Sequence, residues 1–450
     1  MKSTGNPWVD RFRAVDDLDV IRQRTRIRAE PLHLLHQDPA KLATARMHHA
    51  LSHIFYPTQR SCEIIQSVVQ AALGHAQMYH ASSHAHLSRA YLDKLDIEPY
   101  VPMMLTGLAG TGKTQIRKAI GRLLSEESTI KPDAGHGEMP LVAMRSIAVR
   151  SRNRLSSLLL PLANPVLANR SARLKVGDLP DACAHWLHMT GVCLVAVDEL
   201  QFLTQSRSAN TFVAQALLAI TYLRTPVLVL ANYSLGHRLK RRPSEELQRL
   251  LGQHMVLLPD PPDSADWQAI LREYQRTVPD VFTFDFVKQA TSLWAFSAGV
   301  KRELVTLLVL AYDLARKKRR TEVSWADVEA AYTTSEYSMS RRDIEALKLY
   351  GIGSSTLRED LQCPFPIAAS EEAAYAQALR KSRSAEVAAQ CLDAALTQRE
   401  RGALAELKRS LNAGRPTCAG SSEGALRRRR EELSAATLKE ADAEFRKTFQ

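Results

Sequence analysis

The run Gly107-Leu108-Ala109-Gly110-Thr111-Gly112-Lys113-Thr114 limits what this chain can fold into more than any other feature. It fits G-x-x-x-x-G-K-[ST], a pattern in which glycines let the backbone turn tightly enough for successive amides to face phosphate. Context gives the match its weight. The apolar residues 101–106 precede it, and Ile116, Ile120, Leu123 and Leu124 after it share one helical face. Strand, loop and helix in that order put the positive end of a helix behind the loop. Lys113 is then placed to reach the β- and γ-phosphates of a nucleotide, and Thr114 to offer its hydroxyl to Mg²⁺.

A second segment, Gly191-Val192-Cys193-Leu194-Val195-Ala196-Val197-Asp198-Glu199, reads as a buried strand that ends in two carboxylates. Carboxylates are costly inside a sheet but tolerated at its C-terminal edge, where open α/β folds bind ligands. There Asp198 is suited to hold Mg²⁺ through water, and Glu199 to orient and deprotonate an attacking water. The adjacent pair points to ATP hydrolysis. Asn232, at the end of the apolar residues 226–231, is a neutral polar group that fits between the γ-phosphate and Glu199; a turn-forming asparagine reads the same way. Gly299-Val300-Lys301-Arg302 opens a long helical pattern, and Arg302 or Lys301 could bring a cation to the phosphates.

Short apolar runs at 101–106, 141–144, 192–197, 226–231 and 255–258 alternate with amphipathic stretches, which argues for βαβ units and a parallel sheet across residues 98–262. Helical patterns alone follow at 264–276, 285–296, 301–316 and 324–332, so residues 263–334 read as a small helical lid domain. Residues 1–97 read as a helical adaptor region, with one apolar face formed by Ile64, Ile65, Val68, Val69 and Leu73. Residues 335–450 read as a polar, largely helical partner-binding tail, helical over 370–413 and basic at Arg427 to Arg430. The expected fold class is therefore α/β, a nucleotide-binding core with a helical lid and helical extensions.

A net charge of +12 favours polyanionic partners. Arg145, Arg150, Arg152, Arg154 and Lys175 lie in a stretch almost free of acids until Asp178, as do Arg170 and Arg173. Such density suits phosphate tracking along double-stranded DNA, and the scarcity of aromatics disfavours single strands; a solvated face would look similar. Arg241 and Arg242, after the Asn232 strand, sit in a second basic cluster. Cys62, Cys183, Cys193, Cys363, Cys391 and Cys418 lack C-x-x-C spacing, so the cysteines indicate neither a zinc site nor a disulfide framework. With no secretory start and no long apolar run, the expected place is the cytoplasm, without a membrane span.

With these residues in place, the chain resembles the AAA+ transposition regulators of the TnsC/TniB family, found in Tn-seven-like transposons. The resemblance covers residues 98–334 and rests on GLAGTGKT, VCLVAVDELQFL, Lys240-Arg241-Arg242-Pro243 with Arg249-Leu250-Leu251, and Val323-Ser324-Trp325-Ala326-Asp327-Val328. It implies an ATP- and Mg²⁺-dependent homo-oligomer, a ring or filament around duplex DNA. It further implies a link between a TnsD/TniQ-like target-selection protein and a TnsB-like transposase, with a TnsA-like endonuclease as a further partner. In AAA+ terms Asn232 takes the sensor-one position and Arg302 that of sensor two, and Arg241 or Arg242 is the arginine finger that completes the next subunit's site. A replication initiator or helicase loader shares this core, and a STAND-type signalling switch would use it without DNA.

Overall fold

In the computed structural model, the described residues are 5–13, 15, 17–92, 95–124, 128–133, 135–149, 155–163, 177–200, 209–251, 253–367, 369–396, 398, 400 and 402. By internal contacts the chain divides into Met1–Ala385 and Glu386–Gln450. The described part of the second unit begins within the helix Ala369–Ala395, and the basic residues 427–430 lie outside the described residues.

The centre of the first unit is a five-stranded sheet built from β1 (Met103–Gly107), β4 (Met144–Ala148), β5 (Leu194–Asp198), β6 (Val227–Ala231) and β7 (Gln253–Leu257), ordered β4-β5-β6-β1-β7. Every pairing is parallel, with Met104 beside Val229, Ala196 beside Leu228 and Leu105 beside Met255. β2 (Ser128–Ile130) and β3 (Met139–Leu141) form a separate antiparallel pair.

Side chains of a strand alternate between faces, and here both faces are covered. Met103, Leu105, Leu194, Ala196, Leu228 and Leu230 share one core with Val9, Phe12, Ile21, Ile65, Val69, Ile116 and Ile120. These come from α1 (Pro7–Arg13), α2 (Leu18–Thr25), α4 (Gln59–Tyr79) and α6 (Lys113–Leu123). Met104, Val195, Val197, Val227 and Val229 face the other core, with Cys183, Leu217, Tyr233 and the helices after β7. The helices α1, α2 and α4 are therefore packed against the sheet and α6, and α3 (Ala40–His53) lies against the helix Lys301–Lys317.

Two elements differ from the sequence expectation. The sheet strand expected at 141–144 is Met144–Ala148, while Leu141 ends β3 and Val142 and Ala143 are a buried lead-in. The cause is its place at the sheet edge: Arg145, Ser146 and Ala148 stay partly or fully exposed, so no continuous apolar run marks the strand. The helix expected over 285–296 is Ala290–Ser297, because the Asp285 carboxylate accepts from the amides of Val287 (2.8 Å) and Lys288 (3.2 Å) and holds a turn. The other three begin and end close to expectation, as Ala265–Thr277, Lys301–Lys317 and Trp325–Thr333. Among the described residues no helix is long and apolar enough to cross a membrane.

Candidate functional site

Parallel order brings the C-terminal ends of β5, β6 and β1 side by side: β5 ends in Asp198, Asn232 follows β6, and β1 ends in Gly107. β1 runs into residues 107–114. Gly110 (φ 87°) and Gly112 (φ 111°) hold left-handed conformations that side chains disfavour. At Gly107 a Cβ would come within 2.5 Å of the Leu257 carbonyl oxygen, so the loop is seated tightly on β7.

α6 starts at Lys113, whose Nζ donates to the carbonyls of Gly107 and Leu108, both at 2.8 Å. The ammonium is 8% exposed. Burial, reinforced by the Arg302 cation and opposed by Glu199 and Asp198, brings the Lys113 pKa down to about 7.

Asp198, at the end of β5, is 4% exposed and accepts from three sides. Thr114 Oγ1 approaches Oδ1 at 3.4 Å, the Glu199 amide donates to Oδ1 at 2.9 Å, and Arg117 Nε donates to Oδ2 at 3.0 Å. Glu199 holds φ 61°, an uncommon value for a residue with a side chain. Asn232 follows β6 and begins the helix Tyr233–Lys240, yet its side chain makes no cap bond there and lines the cleft instead. Arg117 is the addition that the sequence reading missed: it lies one helical turn after Thr114 on the same face, a spacing that could have suggested it.

The helix Lys301–Lys317 closes the loop from the other side. Arg302 donates its amide to the Gly110 carbonyl at 3.3 Å, and a Cβ on Gly110 would come within 2.7 Å of Arg302 Cβ. Lys301 is drawn away by Asp260 at 3.6 Å. Of the two candidate cations, Arg302 is therefore the one whose charge acts on Lys113. A parallel P-loop sheet with a helical segment seated on that loop is an α/β fold of the AAA+ type.

Lys113, Thr114, Asp198, Glu199, Asn232 and Arg302 line one cavity of about 510 Å³, a size suited to a nucleotide. Leu51, Ile54, Phe55, Tyr56, Ile270 and Tyr274 form its apolar part. Ile27 and Phe55 exchange backbone bonds at 2.9 and 3.1 Å, and the Arg26 guanidinium lies 5.2 Å from the Tyr56 ring centre while pairing with Glu273. No local pattern marks these residues, which come from segments far apart in sequence.

No family model matches the sequence, and no curated protein matches it. The structure is similar to the ORC1 protein of Aeropyrum pernix in complex with DNA, at 21% identity and a TM-score of 0.38, over 56% of this chain and 63% of that one. The match thus spans less than two thirds of that protein. The ORC2 protein of Aeropyrum pernix, in ADPNP and ADP complexes, matches at 14% identity and a TM-score of 0.39, over 74% of this chain and 95% of its own. The RuvB Holliday junction branch migration motor of Thermotoga maritima matches at 12% identity and a TM-score of 0.33, over 69% and 80%.

The remaining expected site residues lie elsewhere. Arg241 is exposed and pairs with Glu359, and Arg242 pairs with Glu246 at 2.9 Å; neither lines the cavity. Arg145 sits half-buried on the edge strand β4. Arg150, Arg152, Arg154, Arg170, Arg173 and Lys175 lie outside the described residues, as do Gln201 to Leu203.

Proposed function

We propose that this chain is an Mg²⁺-dependent ATPase that works as a homo-oligomer on double-stranded DNA and regulates transposition. One observation carries the ATPase reading: Lys113, Asp198, Glu199, Asn232 and Arg302, from four separate segments, converge on the same cavity. Phosphates suit the loop because Lys113, half discharged near neutral pH, gains from an anion, and because the Gly110 and Gly112 amides belong to a tight turn before a helix. The base suits the Ile54 to Tyr56 wall with Tyr274 opposite.

Thr114 and Asp198 supply the oxygen donors that Mg²⁺ prefers, and they already approach one another. When bound, the ion would neutralise charge that develops on the phosphates. Glu199 serves as the base that takes a proton from water, Asn232 orients that water, and Arg302 places a permanent charge over the loop. Arg241 or Arg242, turned away from its own cavity, is assigned to the site of the neighbouring subunit.

DNA contact is assigned to Arg145, Arg150, Arg152, Arg154 and Lys175. The transposition role rests on the resemblance to the TnsC/TniB family: between a TnsD/TniQ-like protein and a TnsB-like transposase, the oligomer's lifetime on DNA would be set by hydrolysis. The test is a salt titration of binding to two unrelated duplexes, with and without a non-hydrolysable ATP analogue. Binding should need the analogue, ignore sequence, and lose roughly 0.9 of log–log salt slope for each phosphate contact removed in an Arg150, Arg152, Arg154 triple alanine variant. ATP-independent binding, or an unchanged slope, would refute the DNA assignment. Capture of a TnsB-like transposase by the analogue-bound oligomer supports the transposition role, and failure of capture with DNA binding intact argues for a replication-type engine.

A further inference from the structure

Behind the sheet, away from the nucleotide cleft, the start of β5 abuts a group of buried histidines. His80 follows α4, His86 lies on α5 (Ser83–Ala90) and His188 on the helix Leu179–Met189; they are 0%, 1% and 2% exposed. Their rings pack closely, with centres 4.6 Å apart for His80 and His188, 4.9 Å for His86 and His188, and 5.1 Å for His80 and His86. Trp8 covers them from α1, 5.0 Å from the His86 ring.

A core of this kind is costly unless the ring nitrogens find partners. They do not. Nε2 of His80, Nε2 of His86 and Nδ1 of His188 are buried without a hydrogen-bond partner. Nδ1 of His80 faces Nδ1 of His86 at 2.9 Å, a pair that can hold at most one proton between two neutral rings. His188 Nε2 lies 3.1 Å from the His86 carbonyl oxygen, which can only accept, so Nε2 carries the proton. Nδ1 of His188 is thereby fixed as a lone pair, the same arrangement by which metal-bound histidines are oriented through a carbonyl.

We propose that His80, His86 and His188 bind a zinc-class divalent cation that pins the α4–α5 turn to the helix Leu179–Met189. One nitrogen of each ring lies within 4.8 Å of the others, a spread that a small closure brings to a common ion. Neutral imidazoles suit zinc and its late first-row neighbours and do not suit Mg²⁺, so this site and the cleft would sort different metals. His80 also approaches His75 and Cys193, but Cys193 Sγ is already occupied as acceptor from Arg11 at 3.3 Å.

The experiment uses the full chain, dialysed against zinc, desalted and analysed for metal. About one zinc per chain should be retained by the wild type, by Cys193→Ser and by Asp198→Asn, and lost in a His86→Gln, His188→Gln double variant. Circular dichroism and a cooperative thermal unfolding transition of the double variant check that it folds. As a second measurement on the wild type, chelation should lower the unfolding temperature, and zinc but not magnesium should restore it. No zinc on the folded wild type overturns the proposal, and so does equal zinc on wild type and folded double variant. Zinc lost through Asp198→Asn would place it in the nucleotide cleft, and zinc lost through Cys193→Ser would place it on the cysteine side; either result overturns the three-histidine assignment. These readouts need no ATP turnover, so they stand or fall apart from the ATPase reading.

Discussion

β5 has two ends, and they differ in nearly every physical respect. At its C-terminal end Asp198 and Glu199 meet Lys113, Arg117 and Arg302 in a cleft where charge is matched by charge. Before its N-terminal end Cys193 meets uncharged imidazoles in a core closed by Trp8. The strand between is apolar throughout and could carry neither chemistry alone. Parallel sheets direct helix N-termini and loops to the C-terminal edge, so anions and dications of hard character are served there. The opposite edge is covered by packing, where the histidines persist in neutral form or around a softer ion and the Arg11 guanidinium is held by the Gly191 carbonyl and Cys193.

The sharpest way to break this contrast is Lys113→Ala. Removing the one ammonium inside the loop leaves phosphate charge unmatched, and ATP affinity should fall by roughly a hundredfold or more, as measured by calorimetric titration. Retained affinity would dissolve the distinction between the two ends. Glu199→Gln should separate binding from chemistry: nucleotide and DNA bind as in the wild type, while turnover in a phosphate-release assay drops by roughly 10²- to 10⁴-fold.

The next effect comes from the pKa of about 7 at Lys113. The free chain then holds fewer protons at this group than the phosphate-bound chain does, so binding takes up a proton above neutrality. ATP affinity should be nearly flat below that pH and decline by up to about tenfold per unit above it. Calorimetry in buffers of different ionisation heat should register the uptake, and a pH-independent affinity would contradict the buried amine. A smaller effect is expected for Arg117→Ala. Freed of the guanidinium on Oδ2, Asp198 should favour Mg²⁺ by roughly fivefold, about the value of one partly exposed ion pair, lowering the magnesium needed for half-maximal turnover. A magnesium requirement that stays put would mean that Arg117 merely packs there.

Legibility in the sequence followed locality. Gly107 to Thr114 announce themselves because loop, lysine and helix start are contiguous, and Asp198 with Glu199 because an abrupt pair of acids after an apolar strand is rare. The two cores on either face of the sheet were foreshadowed by the same apolar runs, β4 excepted because an edge strand alternates. Tyr56 and Tyr274 carried no signal, since nothing near them shows that the segment after α3 and the helix Ala265–Thr277 both line the cleft. The choice of Arg302 over Lys301 needed Asp260, whose side chain occupies the lysine. His80, His86 and His188 were equally silent, because the last is brought from 102 residues away.

The left-handed backbone of Glu199 has a consequence for how this protein can change over time. A side chain at such a position costs about 1–3 kcal/mol, which glycine would recover. Glycine at residue 199 would therefore give a sturdier chain and, on the ATPase reading, one that binds nucleotide without hydrolysing it. On the ATPase reading, the carboxylate at residue 199 exchanges durability of the fold for turnover.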